Sequence, residues 1–75
     1  MSRLRRVSGK ETIAALEKLG FSIVRQRGSH VVLRKKDFGG DVGCVVPQHK
    51  ELAVGTLHNI LRLAQVTVEE FLDSL

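Results

Sequence analysis

The residues Gly28, Ser29 and His30 place an imidazole between a glycine turn and an apolar run at residues 31–33. Basic residues flank it on both sides, namely Arg25, Arg27, Arg34, Lys35 and Lys36. Clustered positive charge attracts phosphate, and an imidazole exchanges a proton readily near neutral pH. The stretch therefore indicates acid–base chemistry by His30 on a phosphodiester, with RNA as the expected substrate.

RNA suits this residue set because it carries its own nucleophile, the 2′-hydroxyl. Cleavage then needs a base for the hydroxyl proton, cations near the phosphate and a proton for the leaving oxygen. This chemistry requires no metal, and we expect neither a metal nor another cofactor. The residues that we expect to bind RNA or phosphate are Lys10, Arg27, Ser29, Arg34, Lys35, Lys36 and His49.

Plainer interpretations stay open for each of these residues. A basic side chain is often simply solvated, and a serine after glycine is usually present for turn geometry. His49 follows Pro47 in a polar connector and either assists as a second acid or fixes the loop. The spacing of Cys44 and His49 resembles that of metal ligands, but no convincing ligand set completes it.

Composition narrows the class of protein without choosing a function. The chain has 75 residues, a net charge of +4 and a pI near 9.9, which predicts one small domain over residues 1–75 and favours a polyanionic partner. The chain has three Phe and no Tyr or Trp, so it has few aromatic rings on which nucleic-acid bases could stack. The single cysteine and the lack of a signal-like or membrane-spanning run predict a cytoplasmic protein.

The order of predicted elements is α-β-β-β-α-α. Capping-box patterns at residues 8–11 and 67–70 open the first and last helices. Apolar spacing predicts helices over 9–19 and 53–63, and alternation predicts strands over 21–26, 30–35 and 42–46, with a loop at 36–41. Short connections predict an antiparallel meander with all helices on one face, a two-layer α+β domain. Residues 1–7, which include Arg3, are either a solvated basic terminus or a phosphate-contacting arm.

The parity of the strands decides which side chains face solvent. If Val31 and Leu33 point toward the helices, then His30, Val32 and Arg34 point outward. The residues expected on the inward side are Phe21, Ile23, Cys44 and Val46. On this choice Val24, Val32 and Val45 form an exposed apolar patch beside the imidazole, which is typical of a partner surface.

Several motifs together resemble the HicA toxin family, and the element order resembles the double-stranded-RNA-binding-domain fold. They are the 8–11 capping box, Gly20-Phe21, Gly28-Ser29-His30, Val46-Pro47-x-His49, Gly55-Thr56-Leu57 with Ile60-Leu61, and Thr67-x-Glu69-Glu70-Phe71. The resemblance implies a small mRNA interferase, the toxin of a type II toxin-antitoxin pair, with His30 as the catalytic residue and a HicB antitoxin that masks it. Ala64-Gln65 stands where members often have Ala-Gly.

A non-catalytic RNA-binding module of the same fold is the alternative function, and the role of His30 discriminates between the two. A protein-binding adaptor that uses only the apolar patch is a third interpretation. It predicts no affinity for RNA even at low salt.

Overall fold

The computed structural model describes residues 4–37 and 40–75, so Arg3 of the predicted basic arm lies outside the described residues. The elements are α1 (Gly9–Lys18), β1 (Ser22–Arg27), β2 (His30–Asp37), β3 (Gly40–Pro47), α2 (Val54–Ala64) and α3 (Val68–Ser74). The strands form one antiparallel sheet in the order β1-β2-β3. The predicted α+β class and element order are confirmed.

Both predicted capping boxes are present and set the starts of α1 and α3. The Ser8 hydroxyl accepts from the Glu11 amide and the Glu11 carboxylate accepts from the Ser8 amide, each at 2.9 Å. Thr67 and Glu70 repeat the arrangement on α3. Each box satisfies amides that a helix start otherwise leaves without partners.

The core lies between the helices and the inner face of the sheet. Val31, Leu33, Cys44 and Val46 are buried there, as the strand parity predicted. They pack in one cluster with the apolar stripes of the helices, which include Leu16, Leu57, Ile60, Leu61 and Phe71. Burial raises the pKa of the Cys44 thiol to about 11, so this cysteine behaves as a small apolar core residue.

Two sequence predictions about the strands need correction. The predicted loop at 36–41 is mostly strand, because Lys36 pairs with Asp41 and residue 37 pairs with Gly40; Phe38 and Gly39 lie outside the described residues. Ile23 shares a face with its partner Leu33 but stays 48% exposed. Helix contacts with the sheet fall mainly on β3, so the inner face of the edge strand β1 is not covered.

A β-bulge in β1 changes which of its side chains face outward. Ile23 pairs with Leu33 and Arg25 pairs with Val32, which leaves Val24 as the extra residue. Strict alternation from Ile23 would put Arg25 and Arg27 on the helix side. The bulge instead aligns them with outward-facing partners on β2.

The end of α2 keeps its turn without the usual glycine. Gln65 adopts a left-handed conformation, with φ 58° and ψ 40°. The Gln65 amide donates to the Arg62 carbonyl at 3.2 Å and the Val66 amide donates to the Leu61 carbonyl at 3.0 Å. These two bonds form a Schellman motif in which a residue with a Cβ occupies the position that favours glycine.

Replacing Gln65 with glycine should therefore stabilise the chain. A left-handed residue with a Cβ costs about 1–2 kcal/mol, and the extra freedom of glycine in the unfolded state offsets part of that gain. We expect Gln65→Gly to raise the free energy of unfolding by about 0.5–1 kcal/mol in urea titrations. Gln65→Ala is the control and should bring no such gain; equal stabilisation by both variants would contradict the strain argument.

None of the three helices within residues 4–37 and 40–75 combines the length and apolar character needed to cross a bilayer.

Candidate functional site

A two-residue turn positions His30 at the end of the sheet. Gly28 has a φ of 59°, which suits the first central residue of a type II′ hairpin turn. The Gln26 side-chain amide donates to the Gly28 carbonyl at 3.1 Å and holds the turn from the β1 side. His30 is then the first residue of β2, paired with Arg27 across the hairpin and with Pro47 on β3.

The His30 side chain is exposed and faces away from the helices. Paired residues of an antiparallel sheet lie on the same face with Cα atoms about 5 Å apart. His30 therefore shares the outer face with the Arg27 guanidinium, and neither residue is buried. The outward orientation predicted for His30 is confirmed.

The outer face of the sheet carries a row of cations. On β2 the side chains of His30, Val32, Arg34 and Lys36 share this face, because side chains alternate along a strand. On β1, Arg25 pairs with Val32. His30 and Arg34 are separated by about 13 Å along the strand. Asp41, opposite Lys36, is an acidic group at the far end of this face. Five of the eight Asp and Glu residues lie instead on α1 and α3 (Glu11, Glu17, Glu69, Glu70 and Asp73).

The predicted apolar patch lies among these cations. Val32 pairs with Val45 in the middle of the sheet and is half-buried, while Val45 is 45% exposed. Val24, in the bulge, is 53% exposed and lines a shallow depression with Arg25, Val32 and Arg34. The outer face thus combines a central apolar strip with surrounding positive charge, which suits an extended polyanion as well as a protein partner.

Lys10 and His49 form a second group at the same end of the sheet. Together with Ser8, Gln48 and Lys50 they line a depression of about 320 Å³ at the start of α1. His49 therefore faces the helix start, and His30 is not among the residues that line this depression.

The segment that carries His49 joins the two groups through the main chain. The Gln48 amide donates to the Ser29 carbonyl at 2.6 Å, and the Gly9 amide donates to the His49 carbonyl at 2.9 Å. A Cβ on Gly9 would overlap the Pro47 carbonyl oxygen and lie 2.9 Å from the Gln48 Cα. Glycine at position 9 is what allows this close approach.

Lys35 lines a depression with Arg34 and Lys36 but differs from them in also contacting an aromatic ring. It pairs with Val42, is half-buried, and places its ammonium 5.7 Å from the centre of the Phe21 ring. This geometry is a cation–π contact at the rim of the core. Cys44 and His49 are separated, because the thiol is buried in the core and His49 is exposed in the loop.

Residues 9–66, well over half of the chain, match the sequence profile of the family described as the HicA toxin of bacterial toxin-antitoxin. The chain belongs to the HicA toxin family. Family membership makes this HicA chain a toxin of a toxin-antitoxin system and implies pairing with an antitoxin. No curated protein matches the chain significantly.

The match to the HicA profile covers the outer-face residues around His30 and also Lys10 and His49, since it runs from residue 9 to residue 66. Four residues around Lys10 and His49 were not among those expected from the sequence to bind RNA or phosphate, namely Ser8, Gly9, Gln48 and Lys50. Lys50 could have been found from its position beside His49. The steric requirement at Gly9 depends on a contact with residues about forty positions away, which local pattern does not reveal.

Proposed function

We propose that this chain is an mRNA endoribonuclease, the toxin of a type II pair, in which His30 is the catalytic acid–base residue. The observation that carries the proposal is the exposed His30 side chain, paired across the hairpin with Arg27 on a cationic sheet face. A HicB-type antitoxin neutralises the toxin by covering this face.

The reaction follows from the chemistry of RNA. The His30 imidazole accepts the 2′-hydroxyl proton, and the 2′ oxygen forms a bond to the neighbouring phosphorus. The guanidinium of Arg27 stabilises the negative charge that develops on the phosphoryl oxygens. The bond from phosphorus to the 5′ oxygen then breaks, and that oxygen takes up a proton from the imidazolium or from water. The products are a 2′,3′-cyclic phosphate and a 5′-hydroxyl.

The remaining cations of the outer face hold the RNA chain on either side of the reacting phosphate. Arg25, Arg34 and Lys36 occupy the same face as His30 along β1 and β2. Ser29 orients the turn, because its carbonyl accepts from the Gln48 amide. The shallow apolar strip suits binding through the backbone, with little enclosure of individual bases.

The antitoxin and the RNA compete for one surface under this proposal. Val24 and Val45 expose apolar area beside the cations, and an interface typically has such an apolar centre within a polar rim. An antitoxin that buries these valines would also exclude RNA from His30. A complex in which RNA cleavage continued at full rate with the valines covered would contradict this part of the proposal.

The test of function is cleavage of single-stranded RNA by the purified chain, compared with DNA of the same base sequence. RNA should be cut and DNA should stay intact, because DNA lacks the 2′-hydroxyl. Binding of RNA without cleavage would favour the alternative, a non-catalytic RNA-binding module. Absence of RNA binding at low salt would favour a protein-binding adaptor.

Removing one cation of the outer face should lower the salt dependence of RNA binding. For single strands the slope of log K against log salt changes by about 0.7 for each phosphate contact. We expect Arg27→Gln to reduce the slope by about that amount with a short 2′-O-methylated RNA, which binds but is not cleaved. Arg62→Gln is the control, because Arg62 is exposed on α2 and its side chain donates to Asn59. Equal slopes for the two variants would contradict the assignment of Arg27.

A further inference from the structure

The depression at the start of α1 has the composition of an anion site. Lys10 approaches from the helix, and His49 and Lys50 approach from the segment after β3. Ser8 and Gln48 add neutral hydrogen-bonding groups, and none of the five lining residues is acidic. All five are at least partly exposed, so a ligand reaches them from solvent.

The side chains, and not the helix terminus, give this site its charge. The Glu11 carboxylate already accepts from the Ser8 amide, a bond that lowers the pKa of Glu11, so one negative charge lies at the helix start. Glu51, next to Lys50, forms an ion pair with Arg6 at 3.2 Å. The two lysines therefore lack a carboxylate among the lining groups, and an incoming anion can complement them.

The main chain places this depression in a fixed relation to the His30 turn. Only Gln48 separates Pro47, which pairs with His30, from His49, which lines the depression. The Gln48 amide is bonded to the carbonyl of Ser29, and the His49 carbonyl is bonded to the amide of Gly9. A ligand held in the depression is thus positioned relative to the imidazole through short backbone hydrogen bonds.

We propose that this depression binds a second backbone phosphate of the RNA, beyond the phosphate at His30, through Lys10, His49 and Lys50. This inference rests on the proposed function and extends it, since it adds a contact that sets where along the strand the scissile phosphate lies. Lys10 and Lys50 are binding and positioning residues, and they take no part in proton transfer.

The experiment compares two double variants that lose the same charge. Lys10→Gln with Lys50→Gln alters the depression, while Lys18→Gln with Arg62→Gln alters exposed cations at the ends of α1 and α2. Both are titrated with a short 2′-O-methylated single-stranded RNA at several salt concentrations. We expect the first pair to lower the salt slope by about 0.7, the value for one phosphate, and the second pair to leave it unchanged.

Cleavage of unmodified RNA supplies the second readout. The Lys10/Lys50 variant should show a raised KM with kcat nearly unchanged, because the groups at the reacting bond are intact. Equal effects of both double variants would overturn the inference while leaving the nuclease in place. If the two double variants showed the predicted difference in salt slope but the wild-type chain cut no RNA, the proposed function would be overturned and the phosphate subsite would stand.

Inorganic phosphate distinguishes a polymer site from a site for the free ion. In NMR titrations we expect RNA to shift the amide signals of residues 8–11 and 48–50 at concentrations where inorganic phosphate does not. The same shifts with inorganic phosphate alone, at equal concentration, would overturn the assignment to an RNA phosphate.

Discussion

His30→Ala should reduce RNA cleavage by about 10²–10⁴-fold, the usual contribution of a positioned acid–base group. The side chain is exposed at the end of β2, so its removal should leave the free energy of unfolding within about 0.5 kcal/mol of wild type. RNA binding should persist, because the cations of the outer face are intact. The measurements are the single-turnover cleavage rate, the urea midpoint and the affinity for 2′-O-methylated RNA.

His58→Ala is the matched control for this experiment. His58 is also exposed, but it lies on α2 and outside the sheet. We expect the His58 variant to cleave at the wild-type rate. Undiminished cleavage by His30→Ala would remove the catalytic assignment. A parallel loss in both variants would point to a contaminating nuclease in the wild-type preparation.

Gly9→Ala should destabilise the chain, although helix propensity alone predicts the opposite sign. Alanine inside a helix is normally favoured over glycine by about 1 kcal/mol. The new methyl group at position 9 would overlap the Pro47 carbonyl and crowd Gln48, so the helix or the 47–50 segment must move. We expect a loss of about 2 kcal/mol in the free energy of unfolding, measured in urea.

Gly55→Ala provides the same substitution without the steric conflict. Gly55 is in the first turn of α2, and a Cβ there would meet nothing within 4 Å. The Gly55 variant should be neutral or more stable by up to about 1 kcal/mol. If Gly9→Ala were as stable as Gly55→Ala, the close approach of α1 to the 47–50 segment would be wrong, and with it the shape of the lysine-lined depression.

The local sequence pattern was sufficient to predict the features that depend only on residues close in sequence. The two capping boxes, the glycine at the end of α1 and the Gly28 turn all formed as predicted, because each is a short-range hydrogen-bond or φ requirement. The period of two left two choices of face for β2. The apolar residues expected opposite Val31 and Leu33 favoured the inward choice, and both side chains are buried.

The sequence predictions were wrong or incomplete for features that depend on tertiary contacts. Strand alternation predicts that Ile23 faces inward, but it does not predict how far the helices extend over the sheet. The helices leave the inner face of the edge strand β1 uncovered, so Ile23 stays exposed. The bulge at Val24 cannot be seen in alternation, yet it moves Arg25 and Arg27 to the His30 face. The contact of Lys35 with the Phe21 ring also depends on tertiary packing, and the expected role of Lys35 in phosphate binding stays a prediction.

The chemical identity of the RNA ends tests the central claim most directly. If the His30 imidazole accepts the proton of the 2′-hydroxyl, purified protein should leave a 2′,3′-cyclic phosphate on the upstream fragment and a 5′-hydroxyl on the downstream fragment. Mass spectrometry of the fragments from a defined single-stranded RNA distinguishes these ends. A 3′-hydroxyl paired with a 5′-phosphate would show that water attacked instead, and would contradict this mechanism.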